Sequence, residues 1–283
     1  MNDRVPVLRK EQAISNFPKR PRESHKGMFG TAAVIGGAYG MTGAAFLAAR
    51  AALKLGAGSV HVGLLAENVP GVDLLQPELM LHNAETAAQL PDVDVFAIGC
   101  GLGTSITAQK LLYETLTRNV PLVLDADALN LIAKHADLQD DLRSRKSSCV
   151  LTPHPAEAAR LLACSVRDIQ ADRVAAVREL SRKFACSTVL KGADSLCGTR
   201  GGKFFVNKTG NPGMSSAGMG DVLTGMIAAF IAQGLTADHA LLLAVHLHGA
   251  AGDALAEQGI TLGMTASDVT EWARWLLNQW LKK

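Results

Sequence analysis

The chain reads as an α/β protein with a central, mostly parallel sheet covered by helices on both faces. Three observations predict this. Short apolar runs of strand length alternate with Ala- and Leu-rich runs of helix length. The strand-like runs end in glycines or acids, and they are apolar throughout, as strands buried on both faces must be.

The elements follow in order. TAAVIGG (31–37) is a short buried strand ending in glycines, and MTGAAFLAARAALKLGAG (41–58) is an Ala-rich helix stopped by Gly56 and Gly58. SVHVGLL (59–65) is the next strand. VDVFAIGCGLG (93–103) is a strand running into a glycine turn, with a helix around 105–117. VPLVLDADALNLIA (120–133) and SCVLTPHPAEAARLL (148–162) each repeat strand into helix. TVLKGADSLCGTRGGKFFVN (188–207) breaks the pattern and reads as a β-meander at a sheet edge. Helices dominate from about 220 onward. No linker, charge block or repeat interrupts the chain, so one domain over 1–283 is expected.

Composition narrows the function classes. The 283 residues are 48% hydrophobic and 19% charged, enough for a substantial core. A net charge of +2 spread along the chain gives no footprint for nucleic acid or a membrane surface. The five cysteines lack metal-ligand spacing, and the first residues hold no apolar leader, so a cytoplasmic protein with reduced thiols is expected. No apolar segment is uninterrupted for the length of a membrane span. Neither a GxxxxGK[ST] loop nor a GxGxxG turn is present: GCGLGT (99–104) breaks the latter at Thr104. A nucleotide must be held in another way.

GNPGMSSAGMGDVLTGM (210–226) supplies one. It holds five glycines and two serines and runs into an apolar helix, which Gly218, Met219 and Gly220 open. Free N–H groups of a first helical turn face anions, and glycine lets backbone approach phosphate closely. Asp221 in that turn is placed to take a proton from an attacking hydroxyl, although helix capping alone also explains it. In LTPHPAE, Pro155 and Glu157 suit a helix start. His154 stands at a strand end, and Glu157 is a candidate to hold Mg²⁺ through water. Asp125, Asp127 and Asn130 in VLDADALN, Lys191 in VLKGADS and Lys26 in SHKGMFG complete the candidates. Each also has a plain structural reading as a cap, a solvated acid or a surface lysine.

SHKGMFGTAAVIGG, GAAFLAARAALKLGAG, VLDADALN, LTPHPAE, VLKG and GNPGMSSAGMGDVLTG, in that order from about 22 to 275, resemble the ADP/ATP-dependent NAD(P)H-hydrate dehydratases. The resemblance implies a ribokinase-like three-layer α/β/α sandwich. It also implies dehydration of the S epimer of hydrated NADH or NADPH at the expense of a nucleotide, with ADP the expected donor and AMP and phosphate the products. By resemblance Asp221 is the base, and Gly218 to Gly220 receive the transferred phosphoryl group. Gly43, Ala44, Ala45, Gly101, Gly103 and His154 contact the hydrated dinucleotide. Lys191, Gly192, Ala193, Asp194, Ser195, Met219 and Gly220 hold the adenine nucleotide. Mg²⁺, a homotetramer and a separate epimerase acting on the R form belong to the same expectation. Two positions depart from the family's pattern: Ala217 replaces a glycine, and Cys100 replaces the proline of a Gly-Pro-Gly-Leu-Gly turn. The rival readings are a small-alcohol kinase of the same fold, acting on a thiazole or pyrimidine vitamin precursor, and a silent nucleotide sensor.

Overall fold

A computed structural model describes residues 5–68 and 71–282. Nine strands among them form one sheet: β1 (Thr31–Gly36), β2 (Ser59–Leu64), β3 (Met80–Asn83), β4 (Val95–Ile98), β5 (Leu122–Leu124), β6 (Cys149–Leu151), β7 (Ser187–Leu190), β8 (Leu196–Gly198) and β9 (Phe204–Val206). Their spatial order is β3-β2-β1-β4-β5-β6-β7-β8-β9. Pairings from β3 through β7 are parallel, whereas β7-β8 and β8-β9 are antiparallel. The meander expected at 188–207 is therefore present, at the sheet edge. β3 was not expected: MLHN is four residues long and partly exposed, too short and too polar to stand out.

Alternation along the strands divides the core. Val34, Val95, Ala97, Val123 and Val189 face one layer, where they pack with the helices Thr42–Lys54, Met219–Ala232, Ala237–Glu257 and Ala266–Leu281. Ile35, Phe96, Ile98, Leu124 and Leu190 face the other, against the helices Ile106–Thr117, Ala126–Lys134, Pro155–Leu162 and Arg173–Phe184. Successive side chains of a strand point to opposite faces, so apolar runs without alternation feed both layers.

The parallel strands all deliver their carboxyl ends to one edge of the sheet. β1 neighbours both β2 and β4, so the chain reverses its direction of travel there and leaves a crevice beyond the strand ends. The crevice walls are stitched by backbone: Gly37 N–H donates to the Cys100 carbonyl at 3.0 Å, and Ala38 N–H donates to the Gly101 carbonyl at 2.7 Å. At the far edge, Leu8 N–H donates to the Val206 carbonyl, so the N-terminal segment covers part of β9.

Helix Met219–Ala232 lies on helix Thr42–Lys54 with almost no space between backbones. Ala45, Ala48, Ala49 and Ala52 are fully buried, and a Cβ on Gly225 would overlap the Ala48 carbonyl. Small residues permit this approach. Gly225→Ala should therefore destabilise the protein by roughly 1–3 kcal/mol through overpacking, despite alanine's better helix propensity. Chemical denaturation checks this, with a midpoint at or above wild type as the contrary result.

Candidate active site

Helix Met219–Ala232 begins as the glycine pattern predicts. Gly218 is its N-cap at φ 88°, a left-handed conformation suited to glycine, and a side chain there would strike Leu47 and Ala266. Ala217 keeps a negative φ, so the departure from glycine at that position costs nothing in the backbone. Asp221 is the third helical residue and half-buried, facing a group of ionisable side chains.

That group is built from strand ends. Asp125 closes β5, is 1% exposed, and makes no capping bond to the helix that follows it. Its Oδ1 accepts from Lys191 Nζ at 2.8 Å and its Oδ2 from Thr224 Oγ1 at 2.8 Å. Lys191 ends β7 and lies 4.0 Å from Glu157 Oε2. Burial alone would lower the Lys191 ammonium; Asp125 and Glu157 outweigh it and hold the group above its ordinary range. Asp125 is correspondingly held below the usual carboxylate range by Lys191 and its hydroxyl partners, against the effect of burial. Asp221 goes the other way. Burial, then the Asp125 charge, push its carboxyl up to about 6, with Asp127 adding to the rise and Cys100 and Lys191 opposing it.

Asp127 is not a solvated acid. Its Oδ2 accepts from Gly103 N–H at 2.8 Å and so fixes the glycine turn. Asn130 serves structure: its Oδ1 accepts from Arg160 across to helix Pro155–Leu162 at 2.9 Å. Gly101, at φ 60°, packs so closely against Ala44 that a Cβ on it would lie 3.2 Å from that alanine. The two segments expected to meet the dinucleotide are thus neighbours in the crevice. Ala45 is fully buried against Gly37, which corrects the expectation for its side chain; any contact it makes is through backbone.

His154 is the N-cap of helix Pro155–Leu162. Its Nδ1 accepts from Ala156 N–H at 3.0 Å, which places the neutral ring's proton on Nε2, 3.1 Å from Glu157 Oε1. Glu157 Oε2 accepts from His154 N–H at 2.8 Å, closing a capping box. Both Glu157 oxygens are thereby engaged by His154, and the residue is 4% exposed. About half of the His154 side chain, 47%, remains exposed at the strand end. Lys26 lies at the opposite edge of the sheet, where its carbonyl abuts Gly58 ahead of β2; it is remote from the cluster.

Beside Lys191 opens a cavity of about 520 Å³ lined by Lys191, Gly192, Ala193, Asp194, Ser195, Met219 and Gly220. These are the expected nucleotide residues, Gly218 excepted. Asp194 adopts φ 55° and pairs with Lys208 across the cavity mouth. The sequence reading missed Asn207, Lys208, Asn211 and His248, which also line it. No spacing singles them out, because they come from the loop after β9 and from the middle of a buried helix. Asp221 stands between this cavity and the crevice of Ala44 and Gly101, at a helix N-terminus and beside Lys191. Such an arrangement can hold phosphates on one side, an alcohol on the other, and take a proton between them.

Comparison with known proteins agrees with this geometry. The NAD(P)H-hydrate dehydratase family matches residues 32–274. The ADP-dependent (S)-NAD(P)H-hydrate dehydratase of Neisseria meningitidis serogroup B is 44% identical over 267 residues, covering 93% of this chain and 90% of that protein. The bifunctional NAD(P)H-hydrate repair enzyme of Coxiella burnetii is 42% identical over 266 residues, which cover 93% of this chain but 53% of that protein. The crystal structure of an ADP/ATP-dependent NAD(P)H-hydrate dehydratase from Bacillus subtilis, co-crystallized with ATP/Mg²⁺, matches with a TM-score of 0.85 at 28% identity over 99% of both chains. The layered sheet is thus the ribokinase-like fold expected, and the chain belongs to the NAD(P)H-hydrate dehydratase family.

Proposed function

We propose that this protein dehydrates the S epimer of hydrated NADH and NADPH, consuming ADP and releasing AMP and phosphate. The observation that carries the reading is that Asp221 directly follows Gly220, which lines the cavity of Lys191–Ser195, and has a carboxylate oxygen within 4.8 Å of the Cys100 thiol in the glycine turn. The similarity to an enzyme named ADP-dependent supports ADP over ATP as donor.

Hydroxide is a poor leaving group. In the proposed sequence Asp221 removes the proton of the ring hydroxyl as its oxygen attacks the terminal phosphorus of ADP, and the bond to AMP breaks. The ring nitrogen's lone pair then expels phosphate, and loss of a proton from the adjacent ring carbon completes the double bond. The N–H groups opening helix Met219–Ala232 receive the charge that develops on the transferred group. Lys191 adds a positive charge close beneath Gly220: a Cβ there would lie 3.2 Å from its ammonium nitrogen. Mg²⁺ enters the proposal with the nucleotide phosphates, whose charge it would neutralise. The R epimer needs a separate epimerase, and the working enzyme is proposed to be a cytoplasmic homo-oligomer. Among the described residues no helix is long and apolar enough to cross a membrane.

Incubating the protein with Mg²⁺, hydrated NADH and either ADP or ATP tests the reading, with recovery of NADH absorbance as the signal. Recovery that depends on nucleotide, faster with ADP, is expected; none with either nucleotide would overturn it. Asp221→Asn should lower kcat by on the order of a thousandfold while nucleotide affinity changes little.

The same substitution should stabilise the fold. The Asp221 carboxyl is raised from 3.8 to about 6, so its effect favours folding at low pH and is lost as pH rises through that window. At neutral pH the ionised form is a liability, and Asp221→Asn should gain roughly 1–2 kcal/mol after allowance for partial solvent screening. The gain should vanish in acid; an equal gain at all pH values would refute the assignment.

His154 has two roles to separate. His154→Asn keeps a capping side chain but loses the imidazole, so melting should change little. KM for the hydrated dinucleotide should rise about tenfold, by loss of a hydrogen bond of about 1.4 kcal/mol. Unchanged KM would leave His154 as a cap alone.

A further inference from the structure

Cys100 lies in the turn after β4, Gly99-Cys100-Gly101-Leu102-Gly103. Cysteine brings a thiol, and the turn gives it a fixed direction. Gly37 N–H donates to the Cys100 carbonyl, holding the residue against β1. The side chain is 1% exposed, and its Sγ lies within 4.8 Å of a carboxylate oxygen on each of Asp125 and Asp221. Asp125 has Lys191 on one oxygen and Thr224 on the other. The other acid beside the thiol is Asp221.

We propose that Cys100 is a positioning residue for this enzyme's base: its S–H donates to the Asp221 carboxylate and aims the free oxygen at the substrate hydroxyl. The inference rests on Asp221 being the base. A thiol serves here only while it keeps its proton. Burial and the two acids push the Cys100 thiol well above its ordinary range, so it remains a donor throughout the working range.

The groups facing Asp221 come from four elements: Cys100 from the turn after β4, Asp125 from the end of β5, Asp127 from helix Ala126–Lys134 and Lys191 from the end of β7. The acids and burial favour the protonated carboxyl, and Lys191 and Cys100 favour the ionised one. Removing the thiol leaves Lys191 alone on that side. The sign follows: without the S–H bond, Asp221 ionises at higher pH and the base is lost from the acid side first.

Cys100→Ala and Cys100→Ser test this, with kcat followed against pH at saturating hydrated NADH and ADP. Wild type should lose activity below about 6. Cys100→Ala should move that limb up by about one unit, roughly halving kcat near pH 7, with recovery at about pH 9. Cys100→Ser keeps a donor and should restore the wild-type limb, and KM for ADP should be unchanged in both. A Cys100→Ala limb that coincides with wild type, or a serine variant that shifts as far as alanine, would overturn the proposal. Should alanine fail to fold, Cys100→Pro supplies the donor-free turn. A second readout needs no turnover: infrared titration of the protonated-carboxyl band that Asp221→Asn lacks. Its midpoint should rise in Cys100→Ala; an unmoved midpoint refutes the contact even if the dehydratase assay itself had failed.

Discussion

The buried ion pair of Lys191 and Asp125 is the constraint on which the rest of the site depends. The two residues close β7 and β5, with β6 between them, and meet at 2.8 Å, with Asp125 sealed from solvent and Lys191 reaching the cavity. An unpaired charge at this depth would be strongly destabilising, so neither side chain is free to leave the other. Their pairing fixes the ends of the central strands in one plane. Asp125 then acts twice: it neutralises Lys191, and its charge raises the carboxyl of Asp221. A base that must release its proton after each turnover gains from such a neighbour.

How much of this was legible in the sequence follows from which signals are local. A parallel sheet announces itself by apolar runs that end in Gly or Asp, so β1, β2 and the strands entering the site were readable. β3 was not, because its four residues are half-polar and owe their place to pairing with β2. Gly218 to Asp221 were readable because helix N-termini carry a compositional signature. Asp125 and Asp127 were visible as acids at a strand end, but not in their roles. The sequence reading weighed caps and solvated acids, whereas the structure gives one to Lys191 and Thr224 and the other to Gly103 N–H. Those partners lie 66, 99 and 24 residues away, beyond the reach of any local pattern.

Glu157 and His154 are the opposite case, residues whose partners are local. Both have a chemical motif's appearance, and each is substantially accounted for by a capping box. The box nevertheless serves the site. By accepting from the backbone, His154 Nδ1 leaves a single neutral tautomer, and the half-exposed ring stands at the strand end with its orientation already fixed. Capping and recognition are therefore not alternatives at this position; the first prepares the geometry that the second would use.

The remaining constraint is the distance between Asp221, the proposed base, and Ala44, in the segment proposed to meet the substrate, and helix packing bears on it. Asp221 and Ala44 lie in the first turns of two helices whose backbones touch at Gly225 and Ala48. Where long side chains separate helices, rotamer changes can let them slide; where backbones touch, such movement costs overlap at once. Gly218, one turn before Asp221, is closed in by side chains instead, since a Cβ there would meet Leu47 and Ala266. The alanines and glycines that make the chain poor in aromatic residues thus act beyond the core. They hold the Asp221 carboxylate and the Ala44 segment at one separation, which is the condition the proposed proton transfer needs, with its donor within hydrogen-bond reach.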